Sequence, residues 1–314
     1  MMRVEPATAS ASSPPRVAPG SVGAWVLACR PATLSAAAIP VIAGTACAQA
    51  VGAAKLGPAL AAGAGALLLQ VAANLANDVF DHEKGADTTE RLGPTRVVQS
   101  GLLSAPAVRR GMLLALAMAL GVGVYLTMVA GWPIVVLGLL SIASAVAYTG
   151  GPYPLGYHGL GDLFVLVFFG FVAVAGTAYV QALDVPTLAW WASAAVGVLS
   201  TAILVVNNVR DRETDAKAGK RTLAVRLGRR GAIGEYYLLL ATAYLVPVLL
   251  VATGQLGWLG LLPLLCLPEA VRLAVRVTVD RGRPLNASLV GTARLLLIYG
   301  LLLSAGVVLG AVEG

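Results

Sequence analysis

Residues 77–101 read NDVFDHEKGADTTERLGPTRVVQSG, and residues 207–228 read NNVRDRETDAKAGKRTLAVRLG. Asn77 and Asp81 stand four residues apart and Asp78 and Asp81 three; Asn207, Asn208 and Asp211 repeat those spacings. Side chains three and four apart share one face of a helix. Each motif therefore presents a polar face, and each follows a long apolar run. Asp87 or Asp215 then supplies a further carboxylate, and if the second helix continues past Asp211, Asp215 extends its face by one turn.

The apolar runs decide the fold class. Of the 314 residues, 58% are hydrophobic and 12% charged, against about 25% charged in an ordinary soluble chain. A spanning helix needs about 20 mostly apolar residues. Nine such segments can be placed, near 25–49, 57–77, 108–130, 132–148, 160–181, 187–208, 233–253, 255–277 and 289–311. The expectation is an all-α, polytopic membrane protein of about nine helices around a central cavity. Residues 1–20, rich in Ser, Pro and Ala, read as a disordered cytoplasmic tail, and 21–314 as one membrane domain. The likeness of the two motifs, four helices apart, suggests a duplicated four-helix unit followed by a ninth helix, with both polar clusters facing one cavity.

The net charge of +7 is not a nucleic-acid signature, because the basic residues sit in short loops between apolar runs. Lys and Arg collect on the cytoplasmic side of membrane proteins. With the nine segments above, every basic residue except Lys55 falls on one side. This places the amino terminus in the cytoplasm and the carboxyl terminus outside, and the Ala, Gly and Arg bias leans toward a bacterial cell membrane. Cys29, Cys47 and Cys266 lie far apart in apolar segments without metal or redox spacing and read as packing residues. His82 and His158 read as bystanders.

Acidic and amide groups at membrane depth are costly and usually mark a site. Clustered carboxylates beside Lys and Arg suit Mg²⁺, which takes one or two carboxylates and completes its shell with water and phosphate oxygens. The candidates to complete an anion site are Lys84, Arg91 and Arg96 after the first motif, and Lys220 and Arg221 after the second. Against each stands the plainer reading of a charge that only sets topology. No Ser-His-Asp, Cys-His or Walker-type pattern is present.

With RPATLSAAAIPVIAG (30–44) and AYTGGPYPLGYHGLGDL (147–163), these stretches resemble the UbiA superfamily of intramembrane aromatic prenyltransferases. Within it, RLGPTR and the GGPYPLGYHGLGD turn resemble the 1,4-dihydroxy-2-naphthoate polyprenyltransferase branch. The resemblance covers Arg30 to about Arg294. It implies nine helices around a cavity open sideways to lipid and capped by the two motif loops, with a polyprenyl diphosphate and dihydroxynaphthoate as substrates and Mg²⁺ as cofactor. It carries Asn77, Asp78, Asp81, Asp211 and Asp215 over as metal and diphosphate ligands; Asn207 and Asn208, on the second polar face, are further substrate-binding candidates. Gly85 stands where the superfamily often has its third aspartate, which makes Asp87 a less secure ligand. Ser35 replaces an expected proline. Tyr148 would lie near the departing diphosphate; its plainer reading is an interfacial aromatic.

The resemblance further implies transfer of the prenyl group with loss of the ring carboxyl as CO₂. Rival acceptors are 4-hydroxybenzoate, homogentisate, a porphyrin or a sugar phosphate. A transporter is the rival from another class, since a duplicated helical unit with polar motifs also describes carriers, but here the polar residues gather at one mouth. An inactive scaffold is disfavoured because the principal carboxylates are all present.

Overall fold

A computed structural model describes residues 17–85 and 92–311. Asp87, Arg91 and most of the expected tail lie outside the described residues. The described part of that tail is held in place: the Gly20 amide donates to the Leu102 carbonyl, and Val17 packs on a small apolar core.

Among the described residues there is no strand. Eight helices are long and apolar enough to cross a membrane: α1 (Val22–Ala50), α2 (Leu56–Glu83), α3 (Ala105–Ala130), α5 (Gly161–Ala182), α6 (Thr187–Lys217), α7 (Leu223–Ala252), α8 (Trp258–Val279) and α9 (Leu285–Gly310). The short apolar α4 (Pro133–Ala147) follows α3 and makes the ninth of the expected segments. The protein is integral to a membrane.

One departure from the expected boundaries bears on the motifs. α2 runs six residues beyond 77, to Glu83, and α6 runs to Lys217, so both motifs, Asp215 included, sit on helix rather than loop. α1 is broken instead of continuous. Arg30 adopts φ 51° between its two halves, and Pro31 starts a tight turn at the first-turn position where proline is tolerated. Within α5, Leu166–Ala175 winds as a π-helix, a rare feature that is frequent at functional sites.

Burial divides the bundle in two. α6 is buried from Ala195 through Ala202 without interruption, as expected of a helix apolar on all sides and enclosed by neighbours. It packs against α5, α7, α9 and α1 in the main core, where Leu199, Tyr236, Leu296 and Tyr299 are fully enclosed. The other half, α2 to α5, encloses a chamber of about 600 Å³. Leu120, Val124 and Met128 of α3 and Val135 and Leu139 of α4 line the chamber and are also exposed on the outer surface. The chamber therefore opens sideways to lipid at the α3–α4 face.

α5 and α6 approach through glycines, as small residues allow in membranes. A β-carbon on Gly170 would lie 2.6 Å from the Ser193 carbonyl and 2.9 Å from Gly197 Cα, both backbone atoms that cannot swing aside. Gly170→Ala should therefore lower the thermal midpoint in detergent, with overpacking costing about 1–3 kcal/mol. Gly121→Ala in α3, where no neighbouring atom lies within 4 Å, should leave it unchanged or higher. Equal midpoints for the two variants would contradict this packing.

Candidate active site

Asn77 lines the chamber, and one helical turn beyond it on α2 a polar cluster is built around Asp81, which is 2% exposed. Its Oδ1 accepts from the Tyr157 hydroxyl at 2.7 Å and from Lys220 Nζ at 3.0 Å, while Oδ2 accepts from an Arg96 guanidinium nitrogen at 3.0 Å. Four segments meet here: the end of α2, the segment after it, the turn between α4 and α5, and the loop after α6. Lys220 also lies 4.6 Å from the centre of the Tyr157 ring and Lys84 5.1 Å from it, within cation–π range.

Asp78, expected as a metal ligand, is held here by backbone amides. Its two carboxylate oxygens accept the backbone N–H groups of Val97 and Val98 at 3.1 and 3.0 Å. It straps the segment that carries Arg96 onto α2, at 1% exposure. Asn77, half-buried on the same helix, accepts from Thr149 at 2.9 Å and lines the chamber. Lys84 donates to the Thr149 carbonyl at 2.6 Å and the Gly151 carbonyl at 3.2 Å, so with the Asn77 contact three hydrogen bonds tie the first motif to the start of the turn after α4. Desolvation lowers the pKa of Lys84, Asp81 opposes that shift, and Lys220 adds to it.

The second motif is arranged differently. Asp211 is bound by its own neighbour Arg210, whose Nε and terminal nitrogen reach the two carboxylate oxygens. Arg210 also donates to Asn207 and to Asn286 of α9, each at 2.7 Å. Asn286 in turn donates to the Leu92 carbonyl at 2.9 Å, which joins the two motif loops. A β-carbon on Gly93 would meet the Arg210 guanidinium at 2.6 Å, so RLGPTR needs its glycine there. Asn208 is buried and Asp215 half-buried on α6. Among the described residues the chamber wall takes Leu204 from α6 but none of the second motif, which sits above the chamber.

Not every candidate joins the cluster. Arg221 is exposed and contributes its backbone: its N–H donates to Tyr157 O and its carbonyl accepts from Arg226. His158 stacks on Tyr153 at 3.6 Å, and its Nδ1 lies 2.9 Å from the Pro154 carbonyl; His82 is exposed. Tyr148 caps α4 and lines the chamber. A β-carbon on Gly161 would fall 2.7 Å from its hydroxyl, so the GLGD glycine makes room for that ring. Sequence reasoning missed Tyr157, Arg210 and Asn286. Nothing in a single chain separates Arg210 from its basic neighbours, although the tyrosine was in view in the turn.

The arrangement places a polar mouth, rich in Lys and Arg, next to an apolar chamber. No three His, Cys, Asp or Glu side chains converge on one point among the described residues. The donor set of Asn77, Asp81, Asp211 and Asp215 fits a hard cation that completes its shell with a substrate's phosphate oxygens.

Residues 37–286 match the UbiA prenyltransferase family. The chain is 40% identical over 292 residues to 1,4-dihydroxy-2-naphthoate octaprenyltransferase of Mycobacterium tuberculosis, covering 92% of this chain and 98% of that one. It is 37% identical over 254 residues to the Haemophilus influenzae protein of the same name, covering 78% and 82%. Among solved structures, its fold is similar to the apo UbiA homolog from Aeropyrum pernix K1, with TM-score 0.67, 19% identity and coverage of 88% and 97%. It is also similar to the UbiA homolog from Archaeoglobus fulgidus bound to DMAPP and Mg²⁺, with TM-score 0.63, 15% identity and coverage of 89% and 99%.

The strap on Asp78 has a direct consequence. An asparagine there cannot accept at both positions, and a buried unsatisfied N–H costs about 1–3 kcal/mol. Asp78→Asn should lower the thermal midpoint and expose the backbone between Leu92 and Leu103 to limited proteolysis. Asp215→Asn, on the half-buried turn of α6, should do neither. An unchanged cleavage pattern in Asp78→Asn would dismiss the strap.

Proposed function

The chain belongs to the UbiA prenyltransferase family, and on that premise we propose that it transfers a polyprenyl group from a polyprenyl diphosphate to 1,4-dihydroxy-2-naphthoate. The products are demethylmenaquinol, diphosphate and CO₂. The observation that carries the reading is the junction of a cationic mouth, centred on Asp81, with an apolar chamber that opens to lipid. The names of the curated relatives, at 37–40% identity over most of the chain, support the acceptor.

Lys84, Arg96 and Lys220 hold the diphosphate. An arriving anion competes with Asp81 for Arg96 and Lys220 and so releases that carboxylate to bind a cation. Asn77, Asp81, Asp211 and Asp215 would hold Mg²⁺, with Asp78 fixing the segment that carries Arg96. Bound there, Mg²⁺ neutralises charge growing on the leaving diphosphate.

Carbon–oxygen cleavage leaves an allylic cation in the chamber. Its apolar walls exclude water, and the Phe164 and Phe168 rings, stacked at 5.7 Å and both lining the chamber, offer π faces to positive charge. Tyr148 stands at the mouth, beside the departing group. The prenyl tail leaves between α3 and α4, so chamber volume does not cap its length. The electron-rich ring attacks the cation, a carbon–carbon bond forms, and the ring carboxylate leaves as CO₂, which balances charge without an added base.

The mouth lies on the cytoplasmic side, since the described basic residues other than Lys55 fall on the same side of the spans as the mouth, and nine crossings put the carboxyl terminus outside. A reporter enzyme active only outside the membrane, fused to the carboxyl terminus, should be active; a silent reporter in a well-expressed fusion would reverse the topology.

Membranes containing the protein, given a polyprenyl diphosphate, Mg²⁺ and dihydroxynaphthoate, should yield a prenylated naphthoquinol that has lost CO₂. EDTA should abolish the product. Product only with hydroxybenzoate or homogentisate would overturn the acceptor and keep the reaction class; EDTA-resistant turnover would overturn the metal.

A further inference from the structure

We propose that Gln70 and Asn74 form a hydrogen-bond rail that docks the aromatic acceptor by its ring hydroxyls; the proposal rests on the acceptor reading above. Asp81, Asn77, Asn74 and Gln70 descend one face of α2 in steps of four, three and four residues, spacings that share a helical face. Asn77, Asn74 and Gln70 line the chamber, so the polar stripe continues from the mouth into apolar surroundings. There an unpaired polar group is costly.

The break in α1 fixes how both amides point. Thr33 donates its hydroxyl hydrogen to the Arg30 carbonyl at 2.9 Å, so its oxygen is left to accept. Gln70 Nε2 donates to it at 3.2 Å and Asn74 Nδ2 at 3.1 Å, and Asn74 Nδ2 also donates to the Cys29 carbonyl at 3.0 Å. Both amide nitrogens are committed to α1. The two amide oxygens, Gln70 Oε1 and Asn74 Oδ1, are consequently turned from α1 and take no donor from the described residues. Asn77 differs, since its oxygen accepts from Thr149. The Thr127 and Ser141 hydroxyls in the same chamber donate to their own helices. Arg30 holds φ 51° where these acceptors are presented, and non-glycine residues in that region cluster at functional sites.

Two acceptors four residues apart are separated by about 6 Å along the axis. Two hydroxyls across an aromatic ring match that spacing and supply the missing donors. A prenyl chain has none. An acceptor-only rail also repels a carboxylate, which turns the ring's carboxyl toward the Lys and Arg at the mouth. The hydroxyl beside the carboxyl then meets Asn74, and the far hydroxyl meets Gln70. Gln70 and Asn74 thus select acceptors by hydroxyl number and position.

The test is a double-mutant cycle in which one partner is on the ligand. Equilibrium binding of 1,4-dihydroxy-2-naphthoate and of 1-hydroxy-2-naphthoate, which lacks the far hydroxyl, is measured on detergent-purified wild-type protein and Gln70→Leu. Steady-state KM values for both substrates are measured alongside. The wild type should prefer the dihydroxy acceptor roughly five- to tenfold, the worth of about one hydrogen bond. Gln70→Leu should erase that preference, leave the monohydroxy compound's affinity unchanged and leave the KM for prenyl diphosphate unchanged.

Equal weakening of both acceptors, or a parallel rise in the KM for prenyl diphosphate, overturns the rail. Gln70→Met, closer in shape, replaces Gln70→Leu if the latter lowers the thermal midpoint. If the wild type turns over a different phenol, the acceptor reading fails by itself; the same cycle with that phenol and its deoxy analogue then decides the rail, with coupling keeping it and additivity overturning it.

Discussion

Asp81 depends on three donors, and the rest of the site depends on Asp81. A buried carboxylate without partners costs several kcal/mol, so the fold must bring Arg96, Lys220 and the Tyr157 hydroxyl to one place. Three devices hold the segments that carry them. Asp78 straps the Arg96 segment. The backbone bond from Arg221 to Tyr157 ties the α6–α7 loop to the α4–α5 turn. Asn286 of α9 joins Arg210 to Leu92. Under the proposed function the same cluster would act as an ion exchanger: the cations that neutralise Asp81 here are those that a diphosphate would attract, and their departure would leave a carboxylate ready for a metal.

The bundle divides its labour to suit. The half around α6 is close-packed and buries the second motif's helix on all sides, giving the mouth a rigid floor. The half formed by α2 to α5 is hollow and open to lipid, where an oily substrate must enter and a longer one must leave. The broken α1 serves both, packing on the core through Ile39 and Cys47 and presenting Cys29 O and Thr33 to the polar stripe of α2.

The spans and the motif positions were legible because length, hydropathy and i,i+4 spacing are local properties. Nine apolar runs and two Asn/Asp faces were enough to place the fold and its polar mouth. The assignment of tasks within the site was less legible, for reasons that are not local. Asp78 and Asp81 look alike in sequence, yet one binds backbone N–H groups across nearly 20 residues and the other gathers side chains from remote loops. Arg210 reads as one more topological charge until its burial against Asp211 and Asn286 is seen. The motifs' extension on helix was also hidden, because charged residues end an apolar run before they end the helix. Tyr157 was in view, but only the folded turn aims its hydroxyl at Asp81.

The exchange at Asp81 is the central claim, and diphosphate binding with and without Mg²⁺ tests it most directly. In the wild type, Mg²⁺ should tighten binding of a prenyl diphosphate by at least about tenfold, or about 1.4 kcal/mol. In Asp81→Asn, metal-free binding should hold or improve, because Arg96 and Lys220 are released, while most of the Mg²⁺ enhancement disappears. An Asp81→Asn protein that folds and keeps the full Mg²⁺ enhancement would contradict the account.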